Sequence, residues 1–211
     1  MSEASTPLVH QAASLLLGYP DAEWDGRLRT VETALLALPD GSCPHTAGLL
    51  RFCSEVAAVP ALELAARYVA TFDRSRRRTL HLTYYTDGDT RRRGATLAAL
   101  KALLREHGWE MREGELPDFL PGLLEFAARC PQPGAAVLGE HRAALALLSG
   151  ALERYGSPYA HVLHAVLGTL PAPAPAERAA VRALARSGPP AESVGLDAVP
   201  SPLPHPEGAR R

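Results

Sequence analysis

Leucine and alanine recur at three- and four-residue spacing through nearly all of the first 170 residues, in runs broken by glycine and proline. That spacing lays one apolar stripe along each successive helix. No stretch shows the sustained alternation that a half-buried strand requires. Such a chain buries its stripes helix against helix. Hydrophobic residues are 46% of the sequence and aromatic ones only 6%, so Leu, Ala and Val must build the core. Leu and Ala are also strong helix formers, whereas β-branched residues are sparse. The expected fold is all-α, a single-domain bundle of about eight or nine helices.

The punctuation sets the elements. Thr6-Pro7 reads as a cap and first helical position, and Gly18 and Pro20 end that helix. A second helix is expected from Asp21 to Leu38 and a third from Thr46 to Val59; Pro60 opens a fourth that reaches Phe72. A turn or short helix through Leu80 to Tyr85 follows. Asp89 is the expected cap of a helix carrying Leu97, Leu100 and Leu104, closed by Gly108. Pro117 starts the next helix, with Leu120, Leu123, Leu124 and Ala127 inward. One long helix is expected over Gly134 to Tyr155, and Ser157-Pro158 caps another that runs to Leu170. Pro171, Pro173 and Pro175 make a stiff linker before a short helix, Glu177 to Arg186. The tail is Pro-rich with few large apolar groups, so the expected division is a domain of residues 1–187 and a disordered tail, 188–211.

Several function classes fall away. Net charge is −1, which sets up no global field toward nucleic acid or anionic lipid. Seven arginines do lie between Arg74 and Arg93, but Lys101 is the single lysine, so arginine use reflects a coding bias as much as a function. With no reading element beside them, a nucleic-acid-binding role ranks behind a protein-binding one. Cys43, Cys53 and Cys130 are odd in number and lack CxxC spacing, which fits a reducing compartment. The N-terminus has no basic n-region and no apolar run reaches membrane-spanning length, so a cytoplasmic protein without membrane insertion is expected. Asp87-Gly88-Asp89 is not a calcium loop, because the later ligand positions hold Arg91, Arg92 and Ala98. His161 and His164 lie one turn apart without a third ligand at defined spacing. Ser157 has no base beside it. The expectation is a non-enzyme with no metal and no cofactor.

What remains is a helical surface suited to holding another polypeptide. Tyr68 and Phe72 are an i, i+4 pair, and Tyr84 and Tyr85 follow beside charged blocks. Core packing is the default for Phe72, whereas a groove would use a ring's area and its hydroxyl together. Asp118 and Glu125, seven residues apart on the expected helix, would project within about 20° of each other and roughly 10 Å apart, with Gly122 between them. Such a pair can receive arginines of a partner peptide. The competing reading is a solvated polar face, with Asp118 complementing a helix N-terminus.

Four blocks in register carry a resemblance: Tyr68-Val69 with Phe72-Asp73; Leu82-Thr83-Tyr84-Tyr85 with Gly88-Asp89-Thr90-Arg91 and Arg93-Gly94; Glu115-Leu116-Pro117-Asp118; and Ser157-Pro158-Tyr159-Ala160. Together, from about Leu8 to Pro171, they resemble the nitrate reductase delta-subunit family of molybdenum cofactor assembly chaperones, within the TorD-like redox-enzyme maturation chaperones. The resemblance implies an all-helical, cytoplasmic, non-catalytic protein. Its implied partner is the apo catalytic (alpha) subunit of respiratory nitrate reductase, bound mainly through that subunit's N-terminal segment during cofactor insertion. A related molybdoenzyme is the alternative client, and a monomer or weak homodimer is the implied state. Candidate partner-binding residues are Tyr68, Phe72, Asp73, Tyr84, Tyr85, Asp89, Arg91, Asp118, Glu125 and Tyr159. Relatives commonly carry His after the motif aspartate; here it is Phe119, so no role of that His is carried over.

Overall fold

The computed structural model describes residues 5–39, 44–112 and 114–188. Helices account for nearly all of the regular structure. They are α1 Ser5–Leu16, α2 Trp24–Leu36, α3 Thr46–Val56, α4 Ala61–Tyr68, α5 Thr83–Asp87 and α6 Arg91–Glu106. After a long loop come α7 Leu120–Arg129, α8 Pro131–Glu140, α9 Arg142–Tyr155, α10 Tyr159–Thr169 and α11 Pro175–Ser187. The described residues thus hold eleven α-helices where eight or nine were expected. One cause is a break at His141, which divides the expected Gly134–Tyr155 helix into α8 and α9. The apolar spacing runs straight through that break, so periodicity alone joins the two. Residues 189–211 of the expected tail, like Cys43, lie outside the described residues.

α1 is the centre of the bundle, packed against α7, α10, α2 and α3. Val9, Ala13, Leu16 and Leu17 are fully buried there. Two polar stitches fix its position. The buried Ser14 hydroxyl donates to the Pro121 carbonyl at 2.8 Å, and His10 Nε2 meets Thr169 Oγ1 at 2.9 Å. Because the core is mostly leucine and alanine, the few aromatics stand out where they gather. Phe52 and Tyr159 have ring centroids 4.8 Å apart, Tyr159 and Phe72 4.9 Å, and Tyr68 and Phe72 4.8 Å. α4 does not simply continue to Phe72 as expected; Val69–Asp73 forms a π-helical turn, and Thr71 and Phe72 are buried within it.

Candidate partner-binding site

Asp118 organises the first part of the site. It lies in a turn ahead of α7, not on the helix, because residues around it pair with a distant segment. The Leu120 N–H donates to the Leu80 carbonyl (2.9 Å) and the Leu82 N–H to the Asp118 carbonyl (3.1 Å), forming an antiparallel bridge between His81 and Phe119. The Asp118 side chain is fully buried. Its Oδ1 lies 2.9 Å from His81 Nδ1; its Oδ2 accepts from the Thr83 N–H (3.2 Å), the Thr83 hydroxyl (2.5 Å) and Arg93 Nη2 (3.5 Å). Burial pushes this carboxyl up, but the hydrogen bonds from His81 and Thr83 and the charges of His81 and Arg93 outweigh it. The net result is a pKa below the ordinary aspartate value.

The exposed Asp118–Glu125 pair is therefore corrected. Asp118 is locked inside the fold, and Glu125, on α7, bonds Arg129 one turn on at 3.1 Å. Asp89 is not a helix cap either. Thr90 holds that position without a side-chain cap, and the exposed Asp89 reaches Arg93 at 3.8 Å and Arg76 at 3.5 Å.

A groove of about 560 Å³ opens beside this knot. Tyr19 after α1, Tyr68 of α4, Trp109 and Phe119 of the long loop, and Gly122 of α7 line it. Tyr19 meets Tyr68 edge-on at 5.4 Å, and the Tyr68 hydroxyl donates to the Leu17 carbonyl at 3.0 Å. Glu115 Oε1 lies over Gly122, 3.4 Å from where a Cβ would stand. The rim is mixed in charge: Asp21, Glu110, Glu115 and Glu125 against Arg27, Arg112 and Arg129. A second cavity of about 630 Å³ adjoins along the same loop, sharing Trp109, Glu110, Arg112 and Glu115. The first volume lies within the roughly 300–1,000 Å³ of natural ligand clefts. Aromatic faces bordered by carboxylates suit an amphipathic segment bearing basic groups.

The candidates from the sequence fall into four settings. Tyr68 and Glu125 line the groove. Phe72, Tyr85 and Tyr159 are core residues, with the Tyr159 hydroxyl buried and without a partner. Asp118 is the buried knot, with Tyr84 half-buried nearby under the Arg93 guanidinium, 5.9 Å from its ring. Asp73, Asp89 and Arg91 are exposed outside the groove. Of the other residues lining the groove, sequence reasoning singled out none of Tyr19, Trp109, Glu110 and Arg112, and named Glu115 only within the Glu115-Leu116-Pro117-Asp118 block. The available signal was a Trp among alternating charges directly after the helix-closing Gly108. Among the described residues no three His, Cys, Asp or Glu side chains cluster as metal ligands, and no helix is long and apolar enough to cross a membrane.

The family model for the nitrate reductase delta subunit matches residues 36–165, a span holding the Asp118 knot and most of the groove. The chain belongs to that family. Among delta-subunit relatives, a Bacillus subtilis protein named NarJ, for a nitrate reductase molybdenum cofactor assembly chaperone, is 33% identical over 81% of this chain and 92% of its own length. NarJ of Escherichia coli K12, named for the same role, is 35% identical over 70% of the chain and 63% of its own length. The nitrate reductase-like protein NarX of Mycobacterium tuberculosis is 43% identical over 77% of the chain, which spans only 24% of that longer protein. A solved Archaeoglobus fulgidus structure, described as a redox enzyme maturation protein, shares the fold, with a TM-score of 0.57 at 19% identity over 77% of this chain and 92% of that one.

Proposed function

We propose that this chain is a maturation chaperone for the catalytic subunit of a respiratory nitrate reductase. In this reading it holds the apo subunit by its N-terminal segment while the molybdenum cofactor is installed, and the cofactor belongs to the client. The chaperone is cytoplasmic, non-catalytic, and a monomer or weak homodimer. The groove carries the proposal: an aromatic bed edged by Glu110, Glu115 and Glu125 matches an amphipathic helix with basic flanks, the helix-in-groove mode of recognition. Apolar anchors of the segment would bury against Tyr19, Tyr68 and Trp109, and its basic groups would meet the carboxylates.

Calorimetric titration with the N-terminal peptide of the host's nitrate reductase catalytic subunit tests it. Glu115→Gln with Glu125→Gln keeps shape and removes charge, and should weaken binding by about 1.5–3 kcal/mol, the scale of hydrogen bonds to charged groups. Added salt should weaken the wild-type complex more than the variant's. Equal affinities and equal salt slopes would move the seat away from this groove. Binding only to the corresponding peptide of another molybdoenzyme would change the client.

A further inference from the structure

A second surface shares no lining residue with the groove. α11 follows the proline-bearing connection from Pro171 to Ala174 and lies along α9. It is seated lightly: its Val181 and Leu184 are only half-buried, and none of its described side chains is fully buried. Under its C-terminal end a cavity of about 140 Å³ remains between α11, α9, α5 and the short 3-10 turn Arg76–Arg78. Its floor is apolar, from Leu147, Ala151 and Leu184, with Tyr85 at one side. Its charged groups are all arginines: Arg77, Arg154 and Arg186. None of the three forms an ion pair with a described residue.

We propose that this seam is a docking site for an acidic amphipathic segment of a partner protein, distinct in place and opposite in charge preference from the groove. Charge complementarity decides the occupant. Three arginines line one cleft with no carboxylate among its described lining residues, and α11 adds Arg186 to Arg77 and Arg154. Among the described residues, no carboxylate neutralises these arginines. Guanidinium forks favour carboxylates, which they bind in paired hydrogen bonds. Arginine beside a small apolar core is also characteristic of interface anchors. One leucine of an incoming helix fills the cleft, and glutamates beside it on the same helix meet the arginines.

The probe is a synthetic 14-residue amphipathic helix with leucines on one face and glutamates flanking them, labelled for fluorescence anisotropy against the full chain. A counterpart with glutamines for glutamates is the control, since a lysine-bearing helix would itself suit the groove. The acidic peptide should bind about tenfold or more tightly than the neutral one, a factor equal to about 1.4 kcal/mol. Arg77→Glu with Arg154→Glu, both exposed, should abolish that preference. Arg29→Glu with Arg105→Glu removes the same charge from exposed positions elsewhere and should leave it unchanged. Equal binding of the two peptides, or equal loss in both double variants, overturns the proposal. The groove variant Glu115→Gln with Glu125→Gln should bind the acidic peptide like the wild type, so this test and that of the client peptide can fail separately.

Discussion

Asp118 and Glu125 are both carboxylates of the same sequence neighbourhood, and the fold gives them opposite duties. Asp118 joins the Leu80–Thr83 segment, Arg93 and the loop ahead of α7 through one buried charge. Asp118→Asn keeps the shape but turns an amide N–H₂ toward donors, leaving buried groups unpaired. Urea unfolding should show a loss of about 2–4 kcal/mol. Glu125→Gln removes one exposed pair with Arg129 and should change stability by less than about 0.5 kcal/mol. No local pattern distinguishes the two. Asp118 is buried by hydrogen bonds from residues more than twenty positions away, which spacing along one segment does not record. His10 supplies a separate prediction. Burial, only partly offset by the Ala127 backbone, lowers its pKa from 6.5 to about 4. Between those values the unfolded chain takes up the proton and the folded one does not, so stability is full above about pH 6.5 and falls as pH drops toward 4. The wild type should lose about 2 kcal/mol more than His10→Gln between pH 7 and pH 5, read from urea midpoints at each pH.

At the scale of elements, the contact of α7 with α8 has the least room. A Cβ on Gly134 would stand 2.2 Å from Ala127 Cα and 2.5 Å from Ala127 Cβ. Gly139, on the same helix, has nothing within 4 Å of that position. Gly→Ala inside a helix gains up to about 1 kcal/mol where space is free, while overpacking a close contact costs about 1–3 kcal/mol or more. Gly139→Ala should therefore stabilise by about 0.5 kcal/mol. Gly134→Ala should destabilise by about 2 kcal/mol, as measured by thermal or urea unfolding. A loss for both would mean that helix propensity and close packing are not the opposing effects here. Much of the element order was legible because Gly and Pro mark ends locally: α1 stops before Gly18, and α10 follows Ser157-Pro158 after the left-handed Gly156 (φ 70°). The break at His141 was not legible, since it carries neither proline nor a change of apolar spacing.

The whole molecule sets a strongly packed bundle beside a loop-walled groove, and the two differed in how far the sequence revealed them. The bundle follows from apolar stripes that any helical packing must bury. The groove residues Trp109, Glu110, Arg112 and Glu115 follow no periodicity, so their place depends on where Phe119 is pinned by the bridge to His81. Occupancy of that groove should feed back on the fold. A segment that binds the folded chain and not the unfolded one adds about 2.7 kcal/mol at a hundredfold excess over its Kd. For a domain of this size, that amounts to a rise in Tm of roughly 5–10 °C. The proposed client peptide should produce this rise in the full chain and lose most of it in Glu115→Gln with Glu125→Gln at the same peptide concentration. On the domain boundary expected from composition, a chain ending at Ser187 should melt within about 1 °C of the full chain without peptide and show the same rise with it. A rise that disappears on removing those residues would put part of the client's seat in the C-terminal segment and move the domain boundary beyond Ser187.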